Sequence, residues 1–427
     1  MEERADVLIA GGGVIGTALA WALAERGVSG ITVVDVDLAG LYASSELNAG
    51  GARATWWQPV NIESCLATLD FFRRHREEFA FRELGYLWLY DSPELFETAR
   101  TKRVLQNGYG LEVELVSPGT LSARFPVLDR ELQGICGATF SPRDGLVNPN
   151  AVRAFYRRGA EARGVRFLDR DYITGVHTQL VSGAAGVVRR VAGLDVVRLQ
   201  GADPLDERGV LLECLTSHRV PTGAIAEEKR IECGTVVNCL GAWSPILAAK
   251  LGVHEVTEPV RRQIALVDVH AGDLAPSVEL DTLGMVVTPG SLYFHPEGSY
   301  VLAGYSLPNE PPGFDFSYDG SDFFEAEIWP RLARHASSFE RCGHVRGWAG
   351  LYAVTPDRSG IAGSVAGFAN LFEAHSFTGR GVMQSYGIAG SMASLIDSGR
   401  YGEIDLTPLS RERFLDSDRR LPEGLHI

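Results

Sequence analysis

The sequence predicts an α/β protein whose second lobe is α+β and mainly antiparallel. Three observations predict it. Residues 5–10 form an almost wholly apolar run that leads straight into a glycine turn and a helix-like segment, the pattern of a strand buried on both faces. A second unit of this kind returns after residue 143, behind an inserted stretch of different character. The 427 residues also exceed what one hydrophobic core organises, so two lobes are expected. The expected division gives 1–84, 143–250 and 345–427 to one discontinuous lobe, and 85–142 and 251–344 to the other.

The first fifty residues justify the first lobe. Ala5 to Ala10 meets Gly11-Gly12-Gly13-Val14-Ile15-Gly16, a helix is expected over Thr17 to Arg26, and Gly27 stops it. Ile31 to Val34 makes a second apolar strand ending at Asp35, 19 residues beyond Gly16. This is one whole Rossmann-type βαβ unit, the form of a dinucleotide-binding domain. Gly11 permits the tight turn, Gly13 lets backbone approach a pyrophosphate, and Gly16 lets helix and strand pack closely. Val14 and Ile15 open the helix, whose free N–H groups and positive dipole end suit phosphates. Asp35 stands where a carboxylate accepts hydrogen bonds from ribose hydroxyls.

The glycine turn alone does not separate FAD from NAD. The next segment, residues 44–53, is small and polar with paired glycines. Such a stretch suits a loop laid along a flavin and its pyrophosphate, with Ser44, Ser45, Asn48, Ala49 and Gly50 in contact.

Asn61 to His75 carries Ile62, Leu66, Leu69 and Phe72 as a helical stripe, with Asn61 as N-cap. From Gly85, LGYLWLYDS reads as a strand opening the second lobe. Asn148 caps a returning helix whose first residue is Pro149. Gly164 ends it before a strand, Val165 to Leu168, and Ile173 follows as a further cofactor contact. From Val181 to Arg230 the runs GVVRRVAG, LDVVRL and VLLECL read as short strands. This stretch is expected to supply an extra loop or a partner surface, without chemistry.

Thr235 to Leu240 is a buried strand leading into Gly241-Ala242-Trp243-Ser244, where small residues let a cofactor pass close to backbone. Pro259 to Ile264 and SLYFHPEGSYVLAG read as strands of the second lobe, with a turn at Pro296-Glu297-Gly298. The chain then returns through GWAGLYAVTPDRSGIAG and HSFTGRGVMQSYGIAG. Leu371 to Ala374 reads as a strand, Thr378 to Gly381 as a glycine turn, and Val382 onward as a helix. Gly387 and Gly390 take close-packing positions on that helix. A helix N-terminus aimed at the flavin N1–C2 carbonyl edge would stabilise the negative charge that gathers there on reduction.

With these motifs in this order, the sequence resembles the D-amino-acid oxidase family of FAD enzymes from about Ala5 to Phe414. That family includes monomeric sarcosine oxidase, glycine oxidase and the dimethylglycine oxidases and dehydrogenases. The resemblance implies FAD near Gly241, Trp243, Gly350, Leu351, Thr378, Gly379, Gly381 and Val382, under an antiparallel sheet that roofs the flavin. There are also departures. Sarcosine oxidase tethers its flavin through a cysteine where this chain has Gly350. None of the ten histidines lies near residues 44–53, where relatives use one for attachment, so non-covalent FAD is expected. Leu302 stands where sarcosine oxidase keeps a lysine that helps oxygen react, which favours a dehydrogenase, or a slow oxidase in which His295 substitutes. Tyr352 replaces the substrate arginine of glycine oxidase, and Arg262 replaces a histidine of dimethylglycine oxidase. The pocket is rebuilt.

The chemistry expected is oxidation of a small-molecule amine or N-alkyl amino acid, by hydride transfer to flavin N5, giving an imine. Oxygen or another electron acceptor then takes the electrons. Tyr293, His295 and Tyr352 are the catalytic candidates, His295 as proton acceptor. Arg53 would hold a carboxylate in a bidentate fork, and Trp56 and Trp57 would wall an alkylammonium. Arg262, Arg380 and Met383 complete the substrate-side set. Two alternatives stand beside this reading: a 2-hydroxy-acid dehydrogenase on the same fold, and a non-catalytic flavoprotein acting as an assembly factor.

Composition bounds the partners. With 45% hydrophobic and 22% charged residues the chain reads as globular, and its net charge of -14 disfavours nucleic acid and anionic membranes. The six cysteines form no CxxC pair or metal-like spacing, which suits free thiols, a reducing cytoplasm and no metal. The acidic N-terminus and short first apolar run suggest neither signal peptide nor membrane anchor.

Overall fold

Two eight-stranded sheets organise the chain. The computed structural model describes every residue except 1, 131, 184–185, 202, 271–273, 275–278 and 426–427. β1 (Glu2–Ala10), α1 (Val14–Glu25) and β2 (Ile31–Val34) form the first crossover, followed by β3 (Gly51–Ala52) and α2 (Pro59–Arg74). The inserted stretch holds β4 (Tyr86–Tyr90), α3 (Pro93–Gly108), β5 (Glu114–Val116), α4 (Pro118–Arg124) and β6 (Gly137–Ser141). The return runs through β7 (Gly145–Leu146), α5 (Pro149–Glu161) and β8 (Arg166–Leu168). Then come β9 (Asp171–Gly183), β10 (Gly186–Leu199), α6 (Pro204–Ser217), β11 (Ile225–Asn238) and α7 (Ser244–Leu251). Next are β12 (Glu258–Asp268), β13 (Met285–Val287), β14 (Tyr293–Glu297), β15 (Tyr300–Tyr305), α8 (Gly320–Phe323), α9 (Trp329–His335) and β16 (Gly343–Val354). β17 (Ile361–Ser364), β18 (Leu371–His375) and α10 (Gly381–Ser398) complete the set.

The first sheet runs β17-β18-β11-β1-β2-β8, with β10 on β11 and β9 on β10. Its centre is parallel: Val7 pairs with Ile31, Leu8 with Val236, and Val236 with Leu371. Residues 7–10 of β1 and all of β2 are buried without alternation, as in a strand covered on both faces. One face packs against α1, α2, α5 and α10, and the other against β9, β10 and α7. The second sheet runs β16-β12-β15-β14-β13-β4-β6-β5, antiparallel except where β13 meets β4. The α/β fold with a mainly antiparallel second layer is therefore observed.

Several local expectations are corrected. Gln58, not Asn61, is the N-cap of α2, because Pro59 fits the first helical position and Asn61 is buried in the helix. The run VLLECL lies in α6, where Leu211, Cys214 and Leu215 bury one face at helical spacing. β14 continues through Glu297, so the turn falls at residues 298–299. Gly387 does pack closely, since a Cβ there would stand 2.6 Å from the Ser64 carbonyl, but Gly390 faces open space. A lobe boundary at 345 also fails for β16, which pairs along its length with β12 in the second sheet. Among the described residues, no helix is long and apolar enough to cross a membrane.

Candidate active site

The glycine turn is built by close approach. Gly11 has φ +104°, and a Cβ there would stand 2.4 Å from the Cys239 carbonyl oxygen. Only glycine fits where β1 passes the end of β11. Gly16 likewise has no room for a side chain, because its Cβ would meet the Gly11 carbonyl. Gly13 is the N-cap of α1 and supplies no side-chain cap, so the positive end of that helix stays open. Asp35 accepts the Gly12 N–H at 2.5 Å and the Asp37 N–H at 2.7 Å, while burial pushes its carboxyl upward. Behind the turn lies a residue that sequence reasoning missed. Arg153 of α5 donates to the Gly12 carbonyl (2.9 Å), the Leu38 carbonyl (2.8 Å) and the Glu46 carboxylate (2.6 Å). A charged residue on the apolar face of α5, between Val152 and Tyr156, was the available signal.

One continuous cavity joins this turn to the start of α10. Gly11, Gly13, Val14, Ile15 and Asp35 line it at one end, and Thr378, Gly379, Gly381 and Val382 at the other. Ser44, Ser45, Asn48, Ile173, Gly241, Trp243, Leu351 and Tyr352 also line it, as expected from the sequence. Tyr172, Leu215, Lys250 and His375 line it too and were not foreseen. The Trp243 indole donates to the Leu215 carbonyl at 2.8 Å, so the last turn of α6 forms part of the wall. Ser44 Oγ donates to the Leu351 carbonyl at 2.5 Å, fastening the polar loop to β16. Gly379 has φ +80°, and a Cβ there would stand 2.6 Å from the Tyr352 ring. Arg380 is the N-cap of α10 and makes no capping bond, leaving that helix start open at the cavity.

Four expected cofactor contacts frame the cavity instead of lining it. Gly16 serves helix–strand packing. The Ala49 carbonyl is bonded to His295, Gly50 is pressed against the Val147 carbonyl, and Gly350 faces Leu47. His295 is not a free base. Its Nε2 lies 2.8 Å from the Ala49 carbonyl and its Nδ1 2.8 Å from the Pro296 carbonyl, and burial lowers its basicity. It clips β14 to the polar loop. Met383 lies in the core that α10 shares with α1 and α2.

The remaining substrate candidates gather beside Tyr352. Arg262 lies over the Tyr352 ring at 5.4 Å, and its buried Nε has no hydrogen-bond partner among the described residues. Tyr86, Tyr293 and Tyr352 influence one another electrostatically, and burial raises all three phenols. Tyr86, Tyr293, Trp88 and Met285 belong to one apolar cluster, with Trp57 and Trp348 packed against it. Trp56 does not wall this space. Its ring stacks on the Arg53 and Arg380 guanidinium groups, at 3.6 and 4.5 Å. Both arginines are 2% exposed, and burial pushes Arg380 down to about 10.

The residues fit an extended dinucleotide: two open helix starts, a glycine turn without side chains and a carboxylate, all on one cavity. The family model for FAD dependent oxidoreductases (DAO) matches residues 6–395. FAD-dependent oxidoreductase domain-containing protein 1 of Bos taurus is 28% identical, over 96% of this chain and 85% of that protein. Mitochondrial dimethylglycine dehydrogenase of Rattus norvegicus is 22% identical, over 97% of this chain and 45% of its own length. The solved L-proline dehydrogenase of P. horikoshii superposes with a TM-score of 0.78 at 21% identity, covering 98% and 99% of the two chains. Glycine oxidase of Geobacillus kaustophilus gives 0.72 at 22%, covering 96% and 98%. These two structures speak for the fold. The chain belongs to the FAD dependent oxidoreductase family, and FAD is its cofactor.

Proposed function

We propose that this FAD-dependent oxidoreductase oxidises the carbon–nitrogen bond of an amine or N-alkyl amino acid, releasing an imine. Bound FAD supplies the hydride acceptor at its N5. The observation that carries the reading is the character of the polar groups beside Tyr352. Tyr86, Tyr293 and Tyr352 are buried phenols held protonated, and Arg262 and Arg53 flank them as cations. These groups donate hydrogen bonds and do not accept protons. His295, the nearby imidazole, is buried with each ring nitrogen 2.8 Å from a carbonyl oxygen; its neutral ring donates to one of the two, and burial disfavours its protonation. A neutral amine needs no base to lose hydride from its α-carbon, whereas a hydroxyl must surrender a proton as it oxidises. A guanidinium is also the group that holds a carboxylate in a fixed pose. The dimethylglycine dehydrogenase, L-proline dehydrogenase and glycine oxidase names among similar proteins point to substrates of this class.

The deciding experiment mixes the FAD-loaded protein anaerobically with amines, N-methyl amino acids and 2-hydroxy acids, following the visible flavin band. Bleaching by amines or amino acids is expected. Bleaching by 2-hydroxy acids alone would reverse the reading, and no bleaching by any of them would favour a non-catalytic flavoprotein.

A further inference from the structure

The segment after the last short helical turns is threaded back towards the phenols. Leu421 N–H donates to Asp357, Ser359 Oγ donates to the Leu421 carbonyl, and Gln58 Nε2 donates to the Pro422 carbonyl. Glu423 is the anchor. Its carboxylate accepts the N–H groups of Trp57 (2.8 Å) and Gln58 (3.0 Å) and the amide of Asn61 (2.8 Å). Gly424 follows, flat against Trp57, where a Cβ would stand 1.9 Å from the indole. Then comes Leu425, 8% exposed, its side chain in the same apolar cluster as Tyr86, Trp88 and Tyr293. Its carbonyl accepts from Arg53 Nη2 at 2.6 Å. Among the described residues this is the one hydrogen bond that holds the segment beyond Glu423.

Arg53 is a mismatched partner for that carbonyl. Its guanidinium is buried against Trp56 (3.6 Å) and Trp88 (4.7 Å), and its other named hydrogen bonds run to Thr55. No carboxylate forms an ion pair with it among the described residues. A buried guanidinium gains far more from a bidentate carboxylate than from a neutral carbonyl. Anchor, glycine joint and a residue held by one backbone contact are the parts of a displaceable occupant.

We propose that Leu425 is an internal occupant of the place beside Arg53 where a substrate carboxylate would sit, and that substrate displaces it. The occupant names the substrate class: a carboxylate-bearing amine with an apolar side chain of leucine size or larger. That the groups beside Tyr352 form the substrate site is taken from the function proposed above. Occupancy lowers apparent affinity by the fraction of molecules in which Leu425 is seated.

The test uses 4-methylpentanoate, which copies the leucine skeleton without a nitrogen, and reads its dissociation constant from the flavin difference spectrum. A chain ended after Gly424 keeps Glu423 and should bind this acid about tenfold or more tightly than the full chain. Leu425→Gly, which clears the side chain but keeps the carbonyl, should fall between them. Adding Arg53→Met to the shortened chain should abolish the gain while FAD stays bound. Unchanged or weaker binding in the shortened chain, loss of its FAD, or no difference spectrum with either chain would overturn the proposal. Because this acid has no C–N bond, the outcome is independent of whether amines bleach the flavin.

Discussion

Arg153 offers the strongest test of how the cofactor turn is held. Replacing it with Met removes three contacts at once: to the Gly12 carbonyl, the Leu38 carbonyl and the Glu46 carboxylate. The Arg153 and Glu46 side chains are only 7% and 13% exposed, so the stranded carboxylate stays largely out of water. Breaking a buried pair from one side costs about 3–5 kcal/mol. Glu46→Gln keeps an acceptor in place and should cost about 1–3 kcal/mol. The double variant should cost less than the two singles together, by about 1 kcal/mol or more, because no lone charge is left behind. Urea unfolding of the FAD-free chains reads these values, and FAD titration by fluorescence reads the site. If about 1.4 kcal/mol of the loss falls on the ordered turn, FAD affinity drops about tenfold in the Arg153 variant. A cost below about 1 kcal/mol, or strict additivity of the two changes, would refute the clamp.

Gly379→Ala should weaken FAD binding more than tenfold, roughly 1.4 kcal/mol or beyond, by forcing a left-handed backbone on alanine and pushing Tyr352 aside; equilibrium dialysis checks it. Burial raises Asp144 to about 6 against an ordinary 3.8. The folded chain therefore holds that proton more tightly than the unfolded one. The stability this adds is complete below about pH 3.8 and is lost as pH rises through about 6, a swing of about 3 kcal/mol. Asp144→Asn should flatten the dependence of the urea midpoint on pH across that window. His295→Gln should leave the pH profile of flavin reduction unchanged, because the imidazole is a clip and not a base. A lost limb in that profile would restore it as proton acceptor.

Much of the first sheet was legible because its signals are local. The glycine turn, the Asn148-Pro149 helix start and the strand Ile31 to Val34 each reside in a few adjacent residues, and each forms as read. The cavity-lining residues Gly11, Gly13, Gly241, Thr378, Gly379 and Gly381 were legible for the same reason, as turns at strand ends. What was not legible depends on distant partners. Asn61 looks like a helix cap until Glu423 and Ser359 meet it from over 290 positions away. The surroundings of Arg53 and Arg380 were not legible either: the fold stacks both on Trp56 and seats the Leu425 carbonyl on Arg53. VLLECL is a short apolar run that reads as a strand or a helix alike, and packing against Val197 and Leu199 selects the helical face. Arg153 showed in the sequence only as a charge beside an apolar helix face, and its task appears once its three acceptors converge in the fold.

The most direct measurement of the proposed chemistry is the anaerobic reductive half-reaction with N-methyl-leucine, unlabelled and deuterated at the α-carbon. The flavin band should bleach with both, and more slowly with deuterium, since that C–H bond breaks as the electrons leave. Equal rates with the two isotopologues would contradict C–H cleavage as the rate-setting event, and bleaching only by the matching 2-hydroxy acid would contradict C–N oxidation itself.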